Sequence, residues 1–95
     1  MSTYMVFTRE KTLDKSEMDT YSKLVTATFS GHPVTVLAAY GPHEDLEGEP
    51  TEGTVIAEFP DTKSAKAWYD GPEYRKVREH RFKGARYHVI LVEGK

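Results

Sequence analysis

Two side chains in this sequence could move a proton. Glu58 lies in the strand-like run Thr54–Phe59 and shares a face with Thr54 and Ile56. His88 alternates with Ile90 and Val92 in another such run. A carboxylate on a half-buried strand is costly unless it is paired or exposed, and one with a raised pKa can serve as a general base. Histidine is the side chain whose ordinary pKa suits proton transfer near neutrality. Glu58 and His88 are therefore the candidate catalytic residues. The structural alternatives are an ion pair from Glu58 to Arg9 or Arg81, and a hydrogen-bonded core or interface role for His88. Arg78 and Arg81 stand three apart, so one helix edge carries both. Together they could grip a carboxylate bidentately. Trp68, Tyr69 and Tyr74, with Tyr21, can wall a pocket and leave a polar handle at one end. The candidate ligand-binding residues are thus Trp68, Tyr69, Tyr74, Arg78 and Arg81. The competing reading is a helix–sheet core for the aromatics and snorkelling surface arginines.

Other chemistry is poorly represented. Cysteine is absent, which removes disulfides, thiol redox chemistry and cysteine nucleophiles. The four histidines, His32, His43, His80 and His88, contain no i, i+4 pair and no HExxH. No metal site and no cofactor is expected, and a haem-ligand role for a histidine is the least favoured reading. Walker A, GxGxxG and GxSxG patterns are also missing. A net charge of −2 gives no electrostatic case for nucleic acid or an anionic membrane. No apolar run approaches the roughly 20 residues of a spanning helix, and the N-terminus lacks a signal-peptide pattern. The expectation is a cytoplasmic protein. The acidic stretch between Lys23 and Lys63 reads as a solvated hairpin, and the basic stretch from Arg75 to Arg86 as a solvated helix end.

The elements that must position these residues can be read in turn. Tyr4–Arg9 is a strand. Asp14 is a helix N-cap, with Glu17 placed for a capping box and Leu13 and Met18 for a hydrophobic staple. Met18, Tyr21, Val25, Thr28 and Phe29 continue at helical spacing, so a helix is expected over 14–30, ended by Gly31 and Pro33. Val34–Tyr40 and Thr54–Phe59 are strands joined by a long Gly/Pro-rich acidic connection. Pro60 closes the third strand, and Asp61 or Thr62 caps a short helix over 62–70. Gly71-Pro72 kinks the chain into a second helix over 72–82. Gly84 ends it, and Ala85–Val92 is the last strand.

The order β-α-β-β-α-β is the ferredoxin-like, or split βαβ, arrangement of one α+β domain spanning residues 1–95. Its strands are apolar on both faces: Met5, Phe7, Val55, Ala57, Val89 and Leu91 against Val6, Ile56, Ile90 and Val92. Helices can cover only one face, so a second copy of the chain is expected on the other, as a homodimer packed sheet to sheet.

Specific segments carry a resemblance. Leu46-Glu47-Gly48, Glu58-Phe59-Pro60, Ala67-Trp68-Tyr69-Asp70 with Pro72-Glu73-Tyr74, the Arg78 and Arg81 pair, and Val92-Glu93-Gly94 resemble the bacterial domain-of-unknown-function family 1330. That family belongs to the dimeric α+β barrel superfamily. Two positions depart from its pattern: Gly71 stands where a serine is usual, and His32-Pro33 where a Gly-Arg pair is common. The resemblance implies a dimeric α+β barrel with a four-stranded antiparallel sheet per subunit and a pocket between sheet and helices. The superfamily includes isomerases, cofactor-independent oxygenases, haem peroxidases and pure binding modules. The functional expectation is a protein binding a small organic acid or aromatic metabolite in that pocket, as an isomerase, lyase or oxygenase. The alternative is a non-catalytic ligand-binding or interaction module.

Overall fold

The strand β1 (Thr3–Thr12) occupies an interior position in the sheet, between β3 (Gly53–Phe59) and β4 (Ala85–Glu93). The remaining strand, β2 (Thr35–Ala39), lies at the outer edge of β3, giving the order β2-β3-β1-β4 with every pair antiparallel. The computed structural model describes all of the chain, Met1–Lys95. The helices are α1 (Lys15–Leu24), α2 (Thr62–Tyr69) and α3 (Pro72–Gly84), and a 3-10 turn spans Thr26–Phe29. This is the ferredoxin-like α+β arrangement that the element order predicts.

The register assigns each strand residue to a face. Phe7 stands opposite Val55 on one side and Val89 on the other. Met5 lies between Ala57 and Leu91 in the same way. These residues face the helices and form the core with Met18, Tyr21, Ala65, Trp68, Tyr74 and Val77. Trp68 is its centre: its ring stacks on Tyr74 at 4.1 Å and lies 5.2 Å from Phe29, 5.8 Å from Phe59 and 6.1 Å from Phe7. Fully burying one such side chain is worth about 1.5–3 kcal/mol. The next row, Val6 between Ile56 and Ile90, faces the opposite way, and no helix covers it. Ile90 is 44% exposed and Val92 47%.

The start of α1 agrees with expectation at one residue and departs at three. Asp14 caps the helix, its Oδ1 accepting from the backbone N–H groups of Ser16 and Glu17 at 3.0 and 3.3 Å. The capping box does not form. Glu17 Oε2 instead meets His80 Nδ1 at 3.0 Å on α3, and the N–H of Asp14 donates to the Gly84 carbonyl at 2.9 Å. The staple is absent too, since Leu13 is 61% exposed. What holds this corner is α3: a Cβ on Gly84 would lie 2.8 Å from the Met18 side chain, so only glycine lets α1 and α3 approach so closely.

The helix expected over 14–30 is shorter, because β-branched residues crowd its second half. Thr28 Oγ1 donates to the Val25 carbonyl at 2.6 Å, which competes with continued α-helical bonding. The same hydroxyl accepts from Trp68 Nε1 at 3.0 Å. The tightened turn therefore satisfies the one polar atom of the central core residue. Gly31, with φ of 81°, ends the segment as expected. The Gly71-Pro72 break separates α2 from α3, and Asp61 caps α2 by accepting from the Ser64 N–H at 2.7 Å.

Candidate functional site

A cavity of about 170 Å³ lies between the sheet and α1, lined by 11 residues of which only Thr26 is not hydrophobic. Phe7, Val55 and Ala57 form its floor on the sheet, with Val36 and Ala39 from the edge strand β2. Tyr21, Val25 and Phe29 close the helical side, and Trp68 the inner end. Its volume is that of a void able to hold a benzene-sized body, and it opens to solvent beside the exposed Val36 and Tyr40. Trp68 is thus the predicted ligand-binding residue that reaches this cavity.

Tyr40 closes the opposite end. It stands at the end of β2 with φ of 56°, a left-handed backbone that swings its side chain back across the sheet. The ring crosses above Gly53, then Arg9, whose guanidinium carbon is 4.8 Å from the ring centroid. Its hydroxyl reaches the Tyr87 hydroxyl on β4. Gly53, Arg9 and Tyr87 occupy one row of the sheet, so a single side chain spans three strands. Burial pushes the Tyr87 hydroxyl well above the usual phenol range, and its hydrogen bond with Tyr40 adds to this, so Tyr87 remains protonated.

Behind the cavity sits Arg81, 4% exposed, with no carboxylate beside it. Its Nε donates to the Tyr74 hydroxyl at 3.3 Å and its Nη2 to the Tyr69 hydroxyl at 3.3 Å. Its charge lies 5.1 Å from the Tyr87 ring centroid and 5.0 Å from that of Phe82. Cation–π contact and phenol acceptors therefore replace the usual anion. Burial pulls the guanidinium pKa down and Tyr74 raises it, for a net value above the ordinary one, so Arg81 is a cation at every working pH. Tyr74 in turn shares a 2.7 Å hydrogen bond with the hydroxyl of Tyr21, the cavity-lining residue. Burial, reinforced by Tyr74, raises the Tyr21 pKa far above the usual phenol range.

The other predicted site residues are elsewhere. Tyr69 stands outside the cavity, where it and Arg81 line a shallow groove with Leu13, Phe82 and Tyr87. Arg78 does not join Arg81: its Nη1 donates to the Tyr69 carbonyl at 3.0 Å and meets Asp70 at 3.4 Å, while its guanidinium rests on the Tyr69 ring. Glu58 and His88 lie on the sheet face away from the helices, outside the cavity and in different rows. Glu58 has neither arginine as a partner: it accepts from Ser2 Oγ at 2.7 Å and Tyr4 Oη at 3.3 Å, while Arg9 pairs with Glu52 at 3.0 Å. No three metal-ligating side chains come together. No helix is long and apolar enough to cross a membrane.

The family described as "Domain of unknown function (DUF1330)" matches residues 2–95. The chain belongs to the DUF1330 family. Solved structures share the fold of this DUF1330 chain at low identity. The RPA0582 protein of unknown function from Rhodopseudomonas palustris superposes with a TM-score of 0.74 at 18% identity, over 99% of this chain and 82% of that one. A dimeric protein of unknown function and ferredoxin-like fold from Bacteroides fragilis gives 0.70 at 12% identity, over 98% and 96%. SnoaB, a cofactor-independent oxygenase from Streptomyces nogalater, gives 0.63 at 10% identity, over 99% and 93%. No curated protein matches the sequence. The DUF1330 resemblance gives one departure a physical reason: a Cβ at Gly71 would stand 2.6 Å from the Ala67 carbonyl oxygen, so a serine here would have to move the backbone.

Sequence reasoning passed over Tyr40, Tyr87, Val36 and Phe29 as parts of this site. The available signal was Tyr40 itself, an aromatic at the mouth of a Gly/Pro-rich connection with a glycine at the start of the next strand.

Proposed function

We propose that this protein binds a small aromatic or alicyclic metabolite in the cavity between sheet and helices, one molecule per subunit of a homodimer. The observation that carries the reading is the cavity of about 170 Å³, apolar at every lining residue but one and bordered by Trp68, Tyr21 and Tyr40. A concave apolar wall with a few hydroxyls is the usual make-up of a small-molecule site. The uncovered sheet face of Val6, Ile56, Ile90 and Val92 supports the dimer, as does the description of the Bacteroides fragilis neighbour as dimeric. Burying that face on a second copy removes its apolar surface from water.

Binding is the favoured activity because the cavity wall contains no carboxylate or imidazole. Glu58 and His88, the proton-moving candidates by residue type, face the proposed dimer interface instead. Oxygenation of a bound aromatic is the second reading. It is favoured by the aromatic wall together with the structural likeness to a cofactor-independent oxygenase.

The test is Trp68 fluorescence during titration with single-ring aromatics and their acids. Saturable quenching in the wild type, weakened at least tenfold by filling the cavity with Ala39→Phe or Ala57→Leu, is the expected result. Quenching that no cavity-filling variant alters would refute the site. Dioxygen uptake in the presence of a tight ligand separates the two readings.

A further inference from the structure

A hydrogen-bond chain runs from Arg81 through Tyr74 to Tyr21, with its donor end fixed at Arg81. Arginine is a donor only, so the Tyr74 oxygen accepts from Arg81 Nε at 3.3 Å. Tyr74 is fully buried, and the one acceptor within reach of its own proton is the Tyr21 oxygen at 2.7 Å. With the cavity empty either hydroxyl can donate to the other, and one proton is left over in each case: that of Tyr74 inside the core, or that of Tyr21 at the cavity wall. An acceptor in the cavity selects the order in which Tyr74 donates to Tyr21, because it accepts the Tyr21 proton. In that order the proton of Tyr21 has no protein acceptor, and Tyr21 lines the cavity.

From this geometry we infer that Tyr21 is a hydrogen-bond donor to a bound ligand, and that the ligand carries an oxygen anion or a strongly polarised oxygen: a phenolate, enolate or conjugated carbonyl on an apolar ring. Arg81 is a positioning residue in this scheme. It touches no ligand, but its buried charge orients Tyr74 and strengthens donation along the chain. Several features converge on the same polarity. Arg81 has no carboxylate partner, so its field reaches the cavity uncancelled. Arg9, which rests on the Tyr40 ring, is paired with Glu52 at 3.0 Å and leaves this polarity to Arg81. No acidic side chain lines the cavity to compete for the donor. The high pKa that burial gives Tyr21 keeps it protonated, as a donor must be.

This inference rests on the cavity being a ligand site, and the experiment separates the two. The probes are p-xylene, which tests the cavity alone, and 4-nitrophenol, whose ionised form is visible by absorbance and thus reports its own bound pKa. Wild type, Tyr21→Phe, Tyr74→Phe and Arg81→Met are compared. Their folding is checked by circular dichroism and by retained p-xylene binding. The expected result is that p-xylene binds wild type and Tyr21→Phe within about threefold of each other. The bound nitrophenol should ionise at least one pH unit more readily in wild type than in Tyr21→Phe, a tenfold change in its equilibrium. Arg81→Met and Tyr74→Phe should fall between the two. If p-xylene binds but nitrophenol ionises identically in wild type and Tyr21→Phe, the donor assignment is overturned and the cavity stands. If neither probe binds wild type, both fail.

Discussion

The ring of Tyr40 occupies the place where Gly53 lacks a side chain: a Cβ on Gly53 would lie 2.6 Å from Tyr40 Cδ1. The two residues face each other across β2 and β3, and Tyr40 N donates to the Thr54 carbonyl at 2.9 Å. Glycine at 53 is what allows an aromatic side chain to lie against the sheet, cross Arg9 and meet Tyr87.

Gly53→Ala should therefore destabilise the fold by about 1–3 kcal/mol, the usual penalty for forcing extra volume into a filled site. Tyr40→Ala should make Gly53→Ala nearly neutral. Urea denaturation of both single variants and the double variant measures the coupling. Additive effects would show that Tyr40 does not occupy this position in solution.

Arg81 yields a prediction of opposite sign to that for an ordinary buried residue. A buried ion without a counter-ion carries a desolvation penalty of several kcal/mol. Arg81→Met keeps much of the volume and removes the charge, and Tyr74 can still donate to Tyr21. Its stability should lie within about 1 kcal/mol of wild type or above it. Arg81→Ala should lose about 2 kcal/mol or more, because it leaves a void beneath Tyr87 and Phe82. A loss on Arg81→Met as large as that on Arg81→Ala would show the charge to be structural.

Sedimentation equilibrium at micromolar concentration should give twice the chain mass. Ile90→Lys, in the middle of the uncovered face, should shift the protein towards monomer and lower its stability at the same time. A wild-type monomer would remove the dimer and the role given to this face.

The acid limb of the stability profile should follow the helix caps. The Ser16 hydroxyl, with the N–H of Glu17, holds Asp14 below the usual carboxylate range. The Ser64 N–H does the same for Asp61. A depressed folded pKa means the unfolded state binds the proton more readily. Each cap thus contributes its full stabilisation above the unfolded carboxylate pKa of about 4, and loses it as pH falls through the lower folded value. Melting temperature should fall over that acid window in wild type. Asp14→Asn and Asp61→Asn should flatten the fall while keeping most of the cap at neutral pH. An unchanged acid limb in the double variant would assign it to other carboxylates.

Strand and helix order could be read from the residues because alternation and 3.6-residue spacing are local signals. The cap at Asp14, the glycine exit at Gly31 and the break at Gly71-Pro72 are local for the same reason. Glu58 and His88 show the limit of that reading. Their alternation was plain, but a sheet apolar on both sides does not announce which side the helices take. Arg81 stands among basic residues on a helix where Arg75, Lys76 and Lys83 are exposed and Arg78 half-buried, and nothing near it in sequence marks its burial. It is buried because Tyr69, Tyr74 and Tyr87 converge on it from three elements. Tyr40 depends on a left-handed backbone and on a glycine thirteen residues later, a relationship that appears only once β2 and β3 pair.

The interior position of β1 has a kinetic consequence. Thr3 pairs with Glu93, ninety residues further along, and Gly94 N donates to the Ser2 carbonyl at 2.7 Å. Closing that ladder costs the chain more loop entropy than closing any hairpin, since the cost grows with the logarithm of the separation. The β2–β3 hairpin can form early and alone. The β1–β4 ladder must wait for the two ends of the sequence to find each other, which places this fold on the slow side for its size. Until they meet, β1 and β4 present unpaired hydrogen-bonding edges, the surface through which a half-folded chain associates with its neighbours. A short linker between Lys95 and Met1, with new ends opened at His32-Pro33 ahead of β2, would turn the costliest closure into a local hairpin, keep the β2–β3 hairpin intact and should speed folding.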